Sequence, residues 1–364
     1  MNVALLHHSY WPEVRRGSER FARDLADGLL ASGHRVTLIT SHAARPTRSV
    51  EDGLVVLRGW RPHDAWLRRR GVAPHLTHLP FSYAALRTGR FDVAHALHPA
   101  DGLASARWAR TTGRPAILSI MGIADRAAVA GTPGVARNAR RAAAGSGAVV
   151  ALSRAAADSL ERVLGIRAEV IAPGVALERF TPGGARAPAP TILCPAALAD
   201  PRKRAGLLLD AFALVRAQLP DARLLVSAPA PPEVRAAAGV QELAIDELPA
   251  LVDAYRSAWV TALASQQEAF GLVLAESLAC SSPVVACRSG AIEELVDRPG
   301  IGALSENSPE SLARALLDGL ALSQRPATAA SCRARAEELS SDRTAGAYER
   351  LYHRVADRGH DARR

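Results

Sequence analysis

Three side chains in this sequence stand where ordinary solvation does not account for them. In EAFGLVLAESLACSSPVV, residues 268 to 285, Glu276 falls inside the apolar run LVLAESLAC, where a purely structural helix seldom places a carboxylate. Glu268 lies eight positions earlier, and Phe270-Gly271 make a tight entry to the helical pattern that begins at Leu272-Val273. Free N–H groups at a helix start attract anions, and a glycine there lets a ligand approach the backbone. A carboxylate one or two turns further in accepts hydrogen bonds from the hydroxyls of a ribose or a sugar. The third side chain is Lys203 in DPRKRAG, the only lysine beside 44 arginines in 364 residues. Coding bias explains the arginines. A lysine offers a compact ammonium where a planar guanidinium fits less well, so either this position has its own requirement or it is a solvated basic loop in which one lysine survived by chance.

Both stretches need rigid elements to hold them. Short apolar runs alternate with helical patterns through the whole chain, as expected for parallel sheets covered by helices on both faces. The strand candidates of the first half are VALLHH (3 to 8), RVTLIT (35 to 40), GLVVLR (53 to 58), DVAHAL (92 to 97), PAILSI (115 to 120), GAVVAL (147 to 152) and AEVIAP (168 to 173). SERFARDLADGLLASG (18 to 33) is an amphipathic helix with Phe21, Leu25, Leu29 and Leu30 on one face, Ser18 as N-cap and Gly33 as stop. TPGGARAPAP (181 to 190), with three prolines and two glycines, reads as a hinge. The alternation then resumes with TILCPA (191 to 196), a helix over 206 to 220, ARLLVSA (222 to 228), VQELAI (240 to 245), WVTALAS (259 to 265) and PVVACR (283 to 288), with helices near 309 to 322 and 329 to 356. The expected fold is α/β: two Rossmann-like, doubly wound parallel-sheet domains facing across a cleft. The domains are 1–180, a 181–190 linker, 191–340, and a 341–364 C-terminal helix that crosses back to the first domain. Ligands in such folds sit at the carboxyl ends of the strands.

Composition narrows the function. The charge of +9 is uneven, with 25 arginines against 14 acids in residues 1 to 180 and 20 basic groups against 22 acids beyond. The basic half suits an anionic membrane surface or an acidic small molecule. No nucleic-acid partner is expected, because no zinc spacing, RNA-binding aromatic motif or basic zipper appears. RGWRPHDAWLRRRG (58 to 71) joins two tryptophans to five arginines, either as a solvated loop or as a surface for anionic lipid. Cys194, Cys280, Cys287 and Cys332 form no C-x-x-C pair and read as reduced, buried thiols. The opening MNVALLHHSY carries no signal-peptide pattern, and no apolar run approaches the roughly 20 residues that span a bilayer. A cytoplasmic location is expected, with peripheral contact at the inner face of the plasma membrane. A dinucleotide oxidoreductase is disfavoured: the first loop, HHSYWPEVRRGS, has one glycine, and GSGAVV precedes a strand instead of following one.

Glu268-Ala-Phe270-Gly271-Leu-Val-Leu-Ala-Glu276 resembles the Glu-x7-Glu signature of retaining glycosyltransferases of the GT-B fold, family 4, in the phosphatidylinositol-mannosyltransferase-like group. The likeness extends through RRGSERFARDLADGLLASGHRVTLIT, EVIAPGVALERFTPG, LPALVDAYRSAWVTALASQQEAFG and SPVVACRSGAIEELV. It implies transfer of a sugar from a nucleoside-diphosphate sugar, with UDP or GDP as carrier, to an acceptor hydroxyl that is soluble or lipid-linked. No cofactor and no metal are expected, and the chain has no D-x-D. By resemblance Glu276 holds the ribose, Glu268 faces the donor sugar, Phe270-Gly271-Leu272-Val273 lie along sugar and diphosphate, and Lys203 binds phosphate. Arg202 and Arg204 flank that lysine, and Gly17 lets the first loop approach the ligand. The departures are Ala196-Ala197 where Gly-Arg is usual, Arg16-Gly17 where two glycines are usual, and Met121-Gly122 where a histidine is frequent. Arg204 or Arg288 would then supply the missing cation, Arg15 or Arg16 would touch phosphate or acceptor, and His98 would sit nearby. A chain that binds nucleotide sugar without turnover, or an epimerase on the same fold, are the alternatives.

Overall fold

The computed structural model describes residues 1–13, 17–62, 74–131 and 133–361. The chain divides into two compact units, Met1–Pro173 with Ser341–Arg364, and Gly174–Ser340. The first unit is built on an eight-stranded sheet of β1 (Asn2–Leu6), β2 (Arg35–His42), β3 (Thr47–Glu51), β4 (Leu54–Trp60), β5 (Val93–Ala96), β6 (Ala116–Ile120), β7 (Ala148–Ala151) and β8 (Glu169–Val170). Its order is β3-β4-β2-β1-β5-β6-β7-β8, parallel apart from β3 against β4. The second unit holds β9 (Thr191–Cys194), β10 (Arg223–Ser227), β11 (Val240–Leu243), β12 (Val260–Leu263), β13 (Val284–Cys287) and β14 (Gly302–Ser305), ordered β11-β10-β9-β12-β13-β14. All its pairings are parallel. The expectation of two doubly wound parallel-sheet units therefore holds.

Each sheet has one place where the winding reverses. In the first unit β1 is flanked by β2 and β5, with Val3 opposite Val93 and Leu6 opposite Ala96. In the second, β9 is flanked by β10 and β12, with Val260 opposite Ile192. The crossover helices leave in opposite directions there, so the loops after the two central strands diverge and open a crevice. The inner strands are buried on both faces, which explains their unbroken apolar runs: Val3 to Leu6 and Val284 to Cys287 are all inaccessible.

Two segments differ from the sequence expectation. Residues 181–190 are no hinge between the units but belong to the second one. Arg256 Nε donates to Thr181 O at 2.8 Å, Ala187 N–H to Ser257 O at 2.9 Å, and Trp259 Nε1 to Ala187 O at 2.8 Å. Proline marks an extended chain that needs few N–H partners, and extended chain serves as readily for a clamped strap as for a linker. The helix expected over 329 to 356 is two helices, Pro326–Glu338 and Ser341–Asp361. They part where Val175 N–H takes the Leu339 carbonyl at 2.7 Å and Val175 bridges Ser340.

The terminal helix Ser341–Asp361 belongs to the first unit and seats two fully buried tyrosines, Tyr348 and Tyr352, against helix Gly17–Ala31 and the sheet. His95 Nδ1 lies 2.8 Å from Tyr352 Oη, His95 Nε2 lies 2.7 Å from Ser119 Oγ, and that hydroxyl is 2.9 Å from Tyr348 Oη. Burial pushes the His95 imidazole down to about 3. A methyl on Gly28 would meet Ala345 Cβ at 2.6 Å, so the two helices touch backbone to side chain. The strand partner missed in sequence, β3, is joined to β4 by Asp52-Gly53, both at positive φ (50° and 85°), the turn that an Asp-Gly pair favours.

Candidate active site

The loop after β9 is held in a fixed shape by its own sequence. Asp200 caps a short 3-10 turn, Pro201–Lys203, by accepting from Arg202 N–H at 3.0 Å. Arg204 then takes a left-handed conformation (φ 51°, ψ 56°) and opens the helix Ala205–Gln218. The loop after β12 runs from Ala264 to Gly271, whose φ of 92° starts the helix Leu272–Ala279. Glycine is required there: a Cβ would meet Ile292 Cδ1 at 2.7 Å in a backbone conformation that L side chains rarely adopt.

Because β9 and β12 are neighbours, these loops meet. Gln266 N–H donates to Arg202 O at 2.8 Å. Lys203 Nζ lies 2.9 Å from Glu268 Oε2, with side chains 23% and 20% exposed, so the ion pair is sheltered but reachable. Glu268 is fixed in turn by Ser289 Oγ, which accepts its N–H at 3.1 Å. Glu276 is only 2% exposed, and its Oε2 accepts from the Tyr255 hydroxyl at 2.7 Å. Phe270 is buried, while Leu272 and Val273 are half-buried beside it. Lys203, Glu268, Phe270, Gly271, Leu272, Val273 and Glu276 thus all lie on or beside the two loops at one switch point.

The two arginines next to Lys203 are engaged within the unit. Arg202, 68% exposed, folds back on Asp200 at 2.6 Å, an ion pair that raises the guanidinium and lowers the carboxyl. Arg204 places Nε 2.6 Å from Ala264 O, Nη2 3.3 Å from Ser265 O and Nη1 2.9 Å from Asn307 Oδ1. The bonds to Ala264 and Ser265 tie the β9 loop to the β12 loop, so Arg204 holds Lys203 opposite Glu268. Arg288, the other compensating cation considered, sits 3.1 Å from Glu306 and 3.3 Å from Glu293. Ala196 is buried and Ala197 exposed where a second cation was expected.

In the first unit, Gly17 begins the helix Gly17–Ala31 with an exposed backbone, Met121 is half-buried after β6, and Arg15 and Arg16 lie outside the described residues. Of the segment 58 to 71, Trp60 is 58% exposed, while residues 63 to 71, Trp66 among them, lie outside the described residues. Sequence reasoning passed over Tyr255, Asp200, Ser289 and Asn307. Only Tyr255 had a readable signal, as the aromatic on the buried face of the helix Leu248–Ser257 just ahead of β12. The four cysteines are free and buried, and burial pushes the Cys194 thiol up to about 11. Among the described residues no helix is long and apolar enough to cross a membrane.

Two doubly wound units, with a cation and two carboxylates gathered at one switch point, define the GT-B class of nucleotide-sugar folds. The solved structures agree on the fold. Sucrose-phosphate synthase from Thermosynechococcus elongatus superposes with a TM-score of 0.81 at 19% identity, covering 97% of this chain and 98% of that one. Anabaena HepE in complex with UDP and glucose gives 0.70 at 18% identity, covering 96% and 99%. The family model described as Glycosyltransferase Family 4 matches residues 15–179, and the one described as Glycosyl transferases group 1 matches residues 189–321. D-inositol 3-phosphate glycosyltransferase 1 of Catenulispora acidiphila is 32% identical over 279 residues, 65% of this chain and 67% of that protein. The D-inositol 3-phosphate glycosyltransferase of Mycobacterium sp. (strain KMS) is 37% identical over 186 residues, a match spanning 44% of this chain but only 41% of that relative's length. The chain belongs to glycosyltransferase family 4.

Proposed function

We propose that this protein is a retaining, hexosyltransferase-type glycosyltransferase that moves a sugar from a nucleoside-diphosphate sugar to an acceptor hydroxyl. The observation that carries the reading is the Lys203–Glu268 pair, 2.9 Å apart at the switch point between β9 and β12. As the glycosidic C–O bond lengthens, the sugar becomes cation-like and negative charge grows on the departing diphosphate. A catalyst must meet that charge with donors already in place. Lys203 is such a donor. Its ammonium is held by Glu268 before the donor arrives and is then shared with the phosphate oxygens.

Glu268 faces the donor sugar, and Glu276, oriented by Tyr255, accepts from the ribose hydroxyls. The backbone Phe270-Gly271-Leu272-Val273 and the free N–H groups of the helix Leu272–Ala279 lie along the diphosphate. Arg202 acts at the rim once the phosphate competes with Asp200 for it. Gly17 gives the first loop its close approach. The departing phosphate oxygen takes the proton of the incoming hydroxyl, so no side chain is assigned as base, and the chemistry runs without a metal at the diphosphate.

UDP and GDP are the carriers to test first, UDP because the Anabaena neighbour holds UDP with glucose. D-inositol 3-phosphate, named in the relatives' activity, leads the acceptors, followed by lipid-linked alcohols at an anionic membrane face. The test is to incubate the full chain with a panel of nucleotide sugars and acceptors and measure released nucleoside diphosphate. Acceptor-dependent release with one donor is expected. Tight binding without release for any acceptor would replace this reading with a nucleotide-sugar-binding protein, and interconversion of the donor sugar would replace it with an epimerase.

A further inference from the structure

We propose that the first unit carries a pocket for a phosphoryl group, formed by Arg87, Arg90 and Arg114 at the end of its sheet opposite the switch point. A cavity of about 350 Å³ is lined there by these three arginines together with Gly89, Trp108 and Thr112. The helices Leu79–Thr88 and Pro99–Thr112 both end at it, and the chain beyond them turns into the first residues of β5 and β6. The transfer reaction uses the carboxyl ends of the strands, so this pocket is separate from that chemistry.

The charge balance is what points to a ligand. Residues 79–116 hold five arginines against two acids. Asp101 is buried at the far end of its helix, with Oδ1 3.4 Å from His78 Nε2, and Asp92 accepts the Asn2 N–H at 2.7 Å. Neither acid lines the cavity, so three guanidiniums share it without a carboxylate. All three are exposed, and among the described residues Arg87 and Arg90 have no ion-pair or hydrogen-bond partner.

An arginine near a helix C-terminus ordinarily serves the last carbonyls of that helix. Here other donors already do so. Gly89 N–H donates to Ala85 O at 3.0 Å and Gly113 N–H to Ala109 O at 2.7 Å. The Thr88 hydroxyl donates to Ala84 O at 3.0 Å, and those of Thr111 and Thr112 donate to Trp108 O at 3.0 and 2.8 Å. Arg114 spends Nη1 on the Phe91 carbonyl, which fixes its guanidinium and leaves its other donors for a ligand. Like charges held together repel one another, and a bound anion relieves that cost.

A phosphoryl group suits this arrangement because guanidiniums pair with its oxygens bidentately and three of them offset its double charge. The cavity lies at the lower end of the range for small-ligand sites, with room for the group that carries the phosphate. A soluble phosphate ester and a lipid headgroup present the same chemistry. The proposal rests on the first unit alone and stands or falls independently of the transfer reaction.

The test measures binding of radiolabelled inorganic phosphate to the full chain by equilibrium dialysis at physiological ionic strength. Lys203→Ala serves as the parent, so that phosphate held beside that lysine does not contribute. One phosphate per chain is expected. Adding Arg87→Gln or Arg90→Gln should weaken binding at least tenfold, as for loss of a hydrogen-bonded charge. Arg235→Gln, which removes the same charge from an exposed position of the second unit, should bind as the parent does. Circular dichroism checks that each variant folds, and Arg87 and Arg90, which hold no other group, decide the outcome. Flotation with phosphatidylcholine vesicles containing phosphatidate separates the two sources. Capture that Arg87→Gln and Arg90→Gln lose assigns the site to a lipid headgroup, and phosphate binding without such capture assigns it to a soluble phosphate ester. Absence of phosphate binding by the parent, or equal affinity in Arg87→Gln, Arg90→Gln and Arg235→Gln, would overturn the site.

Discussion

The two switch points invite comparison because the same winding reversal produced opposite chemistry. In the second unit it gathers charged groups that are paired: Lys203 with Glu268, partly open, and Glu276 with Tyr255, buried. In the first it gathers imidazoles round a buried carboxylate that burial pushes up to about 8, with His78 pushed down to about 3. One switch point is set with an ammonium for an anionic ligand, while the other holds a carboxyl whose charged form burial disfavours. Strand order decides where a crevice opens, and the loop residues decide what it accepts.

Substitutions can break or sharpen that contrast. The largest effect is expected at Lys203→Ala, with turnover falling about 10²–10³-fold or more while the fold is kept, as for loss of a preorganised charge-stabilising donor. Nucleoside diphosphate release measures it, and a smaller loss in Lys203→Arg would show that charge outweighs shape. Glu276→Ala should fall by a comparable order with weaker donor binding, seen as reduced thermal stabilisation by nucleoside diphosphate. Near-normal rates in both variants would remove the second switch point from the chemistry.

Arg204→Ala should lower turnover by roughly tenfold, because the loops loosen while the ammonium remains. A loss equal to that of Lys203→Ala would instead place the guanidinium on the diphosphate. Smaller still, Tyr352→Phe should cost about 1–3 kcal/mol of stability by leaving His95 unsatisfied in the core, read from a denaturant titration. His95 also sets a pH dependence. Its folded value of about 3 lies below the ordinary 6.5, so the unfolded chain takes up a proton first. Stability should therefore fall as pH drops from about 6.5 toward 3, and His95→Gln should flatten that slope.

Much of the second site was legible because it is local. Glu268, Gly271 and Glu276 share one loop and helix, and the Lys203 loop follows the first strand of the same sheet, so spacing and order brought them close. The roles of neighbours were not legible. Arg202 and Arg204 flank Lys203 in sequence, yet one folds onto Asp200 and the other ties two loops, because side-chain direction depends on a left-handed residue and on which carbonyls stand opposite. The first unit's cluster was nearly invisible, since His8 and His78 are far along the chain from His98 and Asp101 and each alone reads as a structural residue.

By itself the sequence determined the alternating elements, the buried strands, the glycine at 271 and the family signature, because periodicity and backbone conformation are local properties. Only the tertiary structure decided that 181–190 is a strap within the second unit, that the chain breaks between the helices Pro326–Glu338 and Ser341–Asp361, and that Asp101 lies buried between two histidines. Those outcomes depend on which groups long-range packing places opposite one another, and no local pattern encodes that pairing.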